Sequence, residues 1–344
     1  MSKRMTWMAA GIFCLGAVLT IPNTAAAQAS TCEIDRPVVF AGLDWDSNAF
    51  HTEVARFIAR HGYGCASEVI PGSTIPLLNG MIRGDIDVTM EIWKVNVLEI
   101  WNPAVEAGQV KDLGVNFPDA TQAWYVPRYL VEGDDAPAKG LKSVADLPRY
   151  AALFRDPEEP SKGRFYNCIA GWGCETINTK KLHAYGLTDS FTNFRPGTGA
   201  ALAAAIDSHL LRRRPIVFYY WGPTWLLGKH ADTIVQLEEP PYDPQVWAEL
   251  EKVDDPAQAK RATAYPTVPV YVAVNGRFAA QAPKLVAFLS NYRTTNALVS
   301  EMLNHMQETD ATAAEAAKHF LKTREDVWTG WVPPEVAARV KAAL

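Results

Sequence analysis

The fold is decided by residues 37–93, which read PVVFAGLDWDSNAFHTEVARFIARHGYGCASEVIPGSTIPLLNGMIRGDIDVTMEIW. Short runs of β-branched and aromatic residues alternate here with amphipathic stretches, a pattern typical of α/β proteins. The predicted elements are strands at Val38 to Gly42, Glu68 to Pro71 and Asp87 to Trp93, and helices at Ser47 to Arg60 and Thr74 to Arg83. This segment therefore predicts a βαβαβ unit.

A second series of the same kind follows a polar, Pro-rich segment from Glu132 to Pro160. Its predicted elements are strands at Arg164 to Ile169, Phe191 to Arg195 and Pro215 to Trp221, and helices at Glu175 to Tyr185 and Ala200 to Leu211. Two similar half-domains in succession predict a ligand cleft between them. The stretches Trp124 to Leu130 and Thr267 to Val274 are candidates for strands that link the lobes, and the chain from Ala280 onward is predicted to be helical.

Residues 1–29 have the order of a secretory signal peptide. Lys3 and Arg4 precede an apolar run from Trp7 to Ile21, and small residues lead to a cleavage site after Ala29. The apolar run is too short and too interrupted by Gly to span a bilayer comfortably. We expect a soluble mature protein in the periplasm, and a lipid anchor on Cys14 is the alternative.

Four cysteines remain after this cleavage, and an even number in an oxidising compartment indicates disulfides. Cys168 and Cys174 bracket Ile-Ala-Gly-Trp-Gly, a loop flexible enough to close, so we expect these two to pair. Cys32 then pairs with Cys65 by elimination. No Cys-x-x-Cys spacing and no histidine cluster accompanies the thiols, so neither a metal site nor a cofactor is expected.

The size and charge of the mature chain limit its organisation and its partners. About 315 residues are more than one core usually takes, so we expect two lobes, residues 30–128 plus 230–344 and residues 129–229. The net charge is -5 and no basic block occurs, which argues against nucleic acid or an anionic membrane surface as a partner. A monomer is expected.

Five of the eleven tryptophans fall at the ends of predicted strands or in the crossover between the lobes. They are Trp45 and Trp93 in lobe one, Trp172 and Trp221 at corresponding edges of lobe two, and Trp124 in the crossover. Open α/β sheets present ligands at the carboxyl ends of their strands. Converging indole faces suit a cation without hydrogen-bond donors, such as a trimethylammonium group. The alternative for each residue is a core tryptophan.

Four segments carry a resemblance to a known family. They are Gly80-x-x-x-Gly84-Asp85-Ile86-Asp87-Val88 running into Glu91-Ile92-Trp93, Trp124-Tyr125-Val126-Pro127-x-Tyr129, Gly171-Trp172-Gly173-Cys174-Glu175, and Ile216-Val217-Phe218-Tyr219-Tyr220-Trp221-Gly222-Pro223. With them the chain, from about Val38 to its carboxyl terminus, resembles the periplasmic glycine betaine, proline betaine and choline-binding proteins of ABC importers. The resemblance implies a two-lobed periplasmic-binding-protein fold, type II-like, with a ligand cleft between the lobes, and a permease in the membrane as partner.

The resemblance also implies an aromatic box at the cleft that holds a small quaternary ammonium ligand. Trp45, Trp93, Trp124 and Trp221 match box positions, and Trp172 is a fifth candidate.

Many relatives carry a histidine after the last box tryptophan that helps hold a ligand carboxylate, and Thr224 stands at that position here. A carboxylate would then be held by the backbone amides of Gly42 and Leu43 or by Thr224 itself. Two acidic residues are further candidates for ligand contact, Asp46 and Glu91. Their structural alternatives are a helix cap and a paired charge.

Three hypotheses compete on this sequence. The first is a binding protein for glycine betaine or choline without catalytic activity. The second keeps the fold but binds trimethylamine N-oxide, carnitine or a sulfonium compound, which the absence of the histidine favours. The third is a secreted hydrolase, although the chain has neither a Gly-x-Ser-x-Gly nor a His-Glu-x-x-His motif.

Overall fold

The computed structural model describes residues 32–344. The predicted signal peptide and Cys14 lie outside the described residues. None of the helices described here is both long enough and apolar enough to cross a membrane.

Nine strands of the described chain form one mixed sheet. They are β1 (Val38–Leu43), β2 (Ser67–Gly72), β3 (Val88–Ile92), β4 (Val110–Pro127), β5 (Gly163–Tyr166), β6 (Phe191–Phe194), β7 (Val217–Gly222), β8 (Ile234–Gln236) and β9 (Val268–Asn275). The order across the sheet is β2-β1-β3-β9-β4-β7-β5-β6, and β8 pairs with β4.

The helices cover the sheet and form the carboxyl-terminal part of the chain. They are α1 (Asp46–Tyr63), α2 (Thr74–Arg83), α3 (Leu98–Glu106), α4 (Arg128–Val131), α5 (Gly173–Ala184), α6 (Gly199–Leu211), α7 (Trp225–His230), α8 (Pro244–Glu251), α9 (Gly276–Gln281), α10 (Pro283–Asn291), α11 (Asn296–Thr309), α12 (Ala313–Thr323), α13 (Glu325–Trp328) and α14 (Pro334–Ala342). Short 3-10 helices occupy Lys94–Asn96, Val144–Phe154, Pro256–Gln258 and Thr329–Trp331.

The two predicted βαβαβ units are both present. In the first, β1 runs parallel to β2 and β3, and α2 has the predicted bounds. Helices α1 and α2 end at Gly64 and Gly84, whose positive φ angles of 70° and 91° suit glycine at a helix terminus. In the second unit, β5 runs parallel to β6 and β7. The α/β prediction is therefore confirmed.

The long strand β4 joins the two halves of the sheet. It pairs antiparallel with β9 along Val110 to Ala120, and with β7 from Thr121 onward. The sequence predicted only the end of this strand, from Trp124. One continuous strand thus pairs with strands of both halves of the sheet. The boundaries proposed for the two lobes stay a prediction.

The polar, Pro-rich segment from Glu132 to Pro160 contains a 3-10 helix, Val144–Phe154. Ser143 and Asp146 form a reciprocal capping box at its start, and Leu147 and Phe154 are buried. The many polar residues and prolines around it obscured this short element.

Both predicted disulfides are present. Cys32 pairs with Cys65 (Cα–Cα 4.8 Å), which ties the start of the described chain to the segment between α1 and β2. Cys168 pairs with Cys174 (Cα–Cα 6.1 Å), six residues apart. The second bridge closes the loop that carries Trp172.

Candidate functional site

Four of the five predicted tryptophans line one narrow cavity of about 30 Å³. Trp45 lies two residues after the end of β1, Trp93 directly follows β3, Trp172 precedes α5, and Trp221 lies near the end of β7. Because both halves of the sheet contribute, the cavity lies between them.

Edge-to-face packing holds three of these rings together. The Trp172 ring centroid lies 5.2 Å from that of Trp45 at an interplanar angle of 78°, and 5.0 Å from that of Trp221 at 85°. Aromatic rings favour this arrangement because the positive edge of one ring meets the negative face of another. Trp172 therefore bridges an indole from the first half of the sheet and one from the second.

Glu91 lies behind the tryptophans rather than on the cavity wall. One of its oxygens, Oε2, accepts hydrogen bonds from Trp45 Nε1 (2.8 Å) and Trp93 Nε1 (3.3 Å). The side chain is fully buried, and this burial raises the pKa of Glu91 to about 7. Glu91 is therefore placed to orient two indoles, and the structure gives it no direct exposure to the cavity.

A buried histidine stands behind Glu91. His51 Nε2 is 3.9 Å from Glu91 Oε1, and His51 Nδ1 is 2.8 Å from the hydroxyl of Tyr292. Complete burial lowers the pKa of His51 to about 3, so its imidazole is neutral near pH 7.

A second carboxylate supports Trp172 from the opposite half of the sheet. Trp172 Nε1 donates a hydrogen bond to Asp44 Oδ1 at 2.7 Å. Desolvation raises the pKa of Asp44, and the bond to Trp172 opposes that rise. Two carboxylates, Glu91 and Asp44, thus bind the indole N–H groups of three cavity tryptophans.

One end of the cavity is polar, and the sequence analysis missed its residues. Asn96 Nδ2 and the Tyr219 hydroxyl both donate to Gln122 Oε1, at 2.8 Å and 2.7 Å. Gln122 Nε2 and Asn96 Oδ1 are buried and have no hydrogen-bond partner. Gln122 could have been predicted from the sequence, because it lies two residues before Trp124 and therefore on the same face of β4.

The start of helix α5 also faces the cavity. Gly173 and Cys174 are its first two residues, and both line the wall. The first N–H groups of a helix have no acceptor within the helix, so they are available to an oxygen atom of a ligand. The sequence motif around Trp172 contained these residues, but only the packing shows that the helix terminus faces inward.

Trp124, the fifth predicted tryptophan, does not line this cavity. Its Nε1 donates to Asn178 Oδ1 at 2.8 Å, and its ring packs 4.2 Å from that of Phe165. In the β4–β7 pairing Gln122 lies opposite Trp221, whereas Trp124 lies opposite Tyr219. Two residues along the strand are therefore enough to move this side chain into the interior of the second half.

The structure does not place Gly42 or Leu43 on the cavity wall. The Leu43 N–H donates to Asn48 Oδ1 at 2.9 Å, which occupies the amide that we expected to hold a carboxylate. Gly42 pairs with Pro71 in β2, and its α-carbon packs close to Val69.

Asp46 and Thr224 line a separate, larger cleft of about 560 Å³, which shares Trp45 and Trp221 with the cavity. Asp46 is the first residue of α1, and desolvation raises its pKa. Thr224 caps α7 by accepting a hydrogen bond from the Leu227 N–H at 3.3 Å. Neither side chain lines the tryptophan cavity.

Within residues 32–344, no group of three or more His, Cys, Asp or Glu side chains is arranged to hold a metal ion.

Residues 36–323 match the family described as the substrate-binding domain of ABC-type glycine betaine transport systems. The glycine betaine/proline betaine-binding periplasmic protein of Escherichia coli is 25% identical over 222 residues, which are 61% of this chain and 64% of that protein. The match thus spans less than two thirds of that relative's length. The trimethylamine N-oxide-binding protein of Pelagibacter ubique is 21% identical over 96% of this chain and 99% of its own length.

A solved structure shows the same fold. The glycine betaine/L-proline-binding protein ProX of Borrelia burgdorferi superposes with a TM-score of 0.70 at 16% identity, covering 89% of this chain and 100% of that chain. This likeness confirms the predicted two-lobed fold of periplasmic binding proteins.

Proposed function

Since this chain belongs to the family of substrate-binding domains of ABC-type glycine betaine transport systems, we propose that it binds a quaternary ammonium osmolyte, glycine betaine or choline, in the tryptophan cavity. The family consists of binding domains and not of enzymes, which confirms the prediction of no catalytic activity. The proposal depends on one observation, the four indoles that surround a single cavity.

The chemistry of the cavity wall suits a trimethylammonium group. Its ten residues are all uncharged, so an ordinary ion pair with the wall is not available to a ligand. A methylated cation spreads its charge over its methyl groups and is attracted to the negative faces of indoles. If each desolvated face contributes roughly 1 to 2 kcal/mol, four faces together contribute about 4 to 8 kcal/mol toward the roughly 8 kcal/mol of a micromolar affinity.

The oxygen end of such a ligand fits the other end of the cavity. Gly173 and Cys174 present the amino terminus of α5, where N–H groups and the helix dipole favour an oxygen acceptor. We propose that these N–H groups donate to the ligand oxygen, as an alternative to the Gly42 and Leu43 amides and to Thr224. A carboxylate or a hydroxyl oxygen is compatible with these N–H groups.

The wider role follows from family membership and from the predicted signal peptide. We propose that the mature protein is exported to the periplasm, acts as a monomer, and delivers its ligand to the permease of an ABC importer. The edge-to-face contact of Trp172 with Trp45 supports a closed arrangement of the two lobes.

Replacement of one cage tryptophan tests the proposal. We expect Trp221→Leu to weaken binding of choline and glycine betaine about tenfold or more, because leucine keeps apolar volume but lacks the quadrupole of the indole. Trp328→Leu is the matched control, since Trp328 is equally buried but packs among the carboxyl-terminal helices. Isothermal titration calorimetry measures both. Equal affinities for the two variants, or no binding by the wild type, would contradict the proposal.

Trimethylamine N-oxide is the second candidate ligand, because the relative of that specificity matches along nearly the whole chain. It carries the same three methyl groups and a single oxygen acceptor. Including trimethylamine N-oxide, carnitine and a sulfonium compound in the same titrations ranks the alternatives directly.

A further inference from the structure

The polar end of the cavity contains one unpaired donor and one unpaired acceptor. Gln122 Nε2 and Asn96 Oδ1 lack partners, and both residues line the cavity; Gln122 is buried and Asn96 is half-buried. Leaving such groups without hydrogen bonds is unfavourable, so a native complex is expected to satisfy them.

The presence of one unpaired donor and one unpaired acceptor does not depend on how the two side-chain amides are oriented. If both amide groups are turned over, Gln122 Nε2 donates to Asn96 Oδ1 and to the Tyr219 oxygen, and the Tyr219 hydroxyl proton loses its acceptor. Gln122 Oε1 and Asn96 Nδ2 are then the unpaired amide atoms. In either orientation the cavity presents one N–H donor and one carbonyl acceptor, and a hydroxyl group is the simplest ligand group that satisfies both.

The electrostatic surroundings of the cavity also favour a ligand that ends in a hydroxyl group. No basic side chain belongs to its wall, and the groups behind the indoles that accept hydrogen bonds from them are the carboxyl groups of Glu91 and Asp44. The amino terminus of α5 offers only about half a positive charge. These surroundings favour a ligand with a net positive charge over a zwitterion.

On the basis of the proposed function, we propose that Asn96 and Gln122 select a quaternary ammonium alcohol, for which choline is the probe, over glycine betaine. Choline and glycine betaine carry the same trimethylammonium group on a two-carbon chain, and they differ in ending with a hydroxyl or a carboxylate. A carboxylate accepts from Gln122 but has no proton for Asn96, whose carbonyl would repel it. Asn96 and Gln122 are therefore specificity-determining residues of the site.

The test compares three ligands on the purified protein by isothermal titration calorimetry: choline, glycine betaine and tetramethylammonium. We expect the wild type to bind choline at least tenfold more tightly than glycine betaine. Gln122→Met, which keeps the side-chain shape and removes both polar atoms, should weaken choline binding about tenfold and leave tetramethylammonium binding unchanged. Asn96→Leu should act in the same direction.

Each outcome has a distinct meaning. Tighter binding of glycine betaine than of choline overturns this inference and leaves the proposed function intact. The inference also fails if Gln122→Met weakens choline and tetramethylammonium equally, because the residue would then act only through the shape of the cavity. Absence of binding to all three ligands would instead refute the proposed function.

Discussion

At the scale of single residues, Glu91 sets the positions of two indoles with one oxygen atom. Trp45 and Trp93 approach Oε2 from different strands, so the direction of each ring depends on the same buried carboxylate. His51 lies on its other side and is neutral, and therefore supplies no full positive charge. The carboxylate is thus buried with hydrogen bonds but without a charged partner, which explains why its pKa is raised.

This burial makes stability depend on pH through Glu91. In the unfolded chain the carboxyl group loses its proton near its ordinary pKa of 4.5, whereas in the folded protein it keeps the proton until about pH 7. At Glu91 the folded state therefore binds more protons between these values, and the contribution of this residue to stability falls as pH rises through this window. The size of the fall is on the order of 3 kcal/mol.

We expect Glu91→Gln to abolish this fall, because glutamine does not titrate and its carbonyl can still accept from the indoles. Urea denaturation at pH 4.5, 6 and 8 measures it, with Glu249→Gln at an exposed position as the control. As pH rises, the free energy of unfolding of Glu91→Gln should increase relative to that of the wild type. Parallel pH curves for the two proteins would show that Glu91 does not titrate in this range.

At the scale of secondary structure elements, the start of α5 packs directly on the 3-10 helix Lys94–Asn96. A Cβ atom on Gly173 would lie 2.5 Å from the backbone oxygen of Asn96 and 2.8 Å from its Cβ. Only glycine permits this approach, because the nearest atoms belong to the backbone and to the base of a side chain and cannot move freely. The contact joins the two halves of the molecule at the polar end of the cavity.

Gly173→Ala tests this contact. We expect the added methyl group to push α5 away from Asn96 and to weaken ligand binding about tenfold or more, in line with the roughly 1 to 3 kcal/mol typical of overpacking. Gly197→Ala is the control, because a Cβ atom there would have no neighbour within 4 Å. Titration of choline and glycine betaine compares the two variants. Equal affinities would mean that α5 can move away from the 3-10 helix Lys94–Asn96 without weakening ligand binding.

At the scale of the whole molecule, the cavity depends on how the two halves meet. The halves share β4, and the edge contacts of Trp172 with Trp45 and Trp221 cross between them. A ligand enclosed by all of these rings would bind the folded, closed form and not the unfolded chain. Binding should therefore stabilise the protein as a unit.

We expect choline or glycine betaine at a concentration of 100 Kd to raise the free energy of unfolding by about 2.7 kcal/mol. Thermal unfolding followed by circular dichroism should show a midpoint higher by several degrees. Trp221→Leu at the same ligand concentration should show a smaller shift. An unchanged midpoint for the wild type with every ligand tested would argue against a ligand held between the halves.

Much of the fold follows from local patterns in the sequence. The periods of apolar residues predicted both βαβαβ units, and the Trp172 loop predicted its own disulfide because the two cysteines are only six residues apart. The placement of Trp45, Trp93, Trp172 and Trp221 at strand ends predicted their convergence, since neighbouring strands end at a common edge of a sheet. Such inferences need only the backbone geometry of neighbouring elements.

Tertiary structure decided the remaining features of the site. Whether Gln122 or Trp124 reaches the cavity depends on the register between β4 and β7, which local periodicity does not determine because both residues lie on the same face. The position of Glu91 behind the indoles, and the packing of Gly173 on Asn96, likewise depend on contacts between segments far apart in the chain. The sequence alone thus determined which residue types gather at the cleft, whereas the packing of the two halves determined which atoms face a ligand.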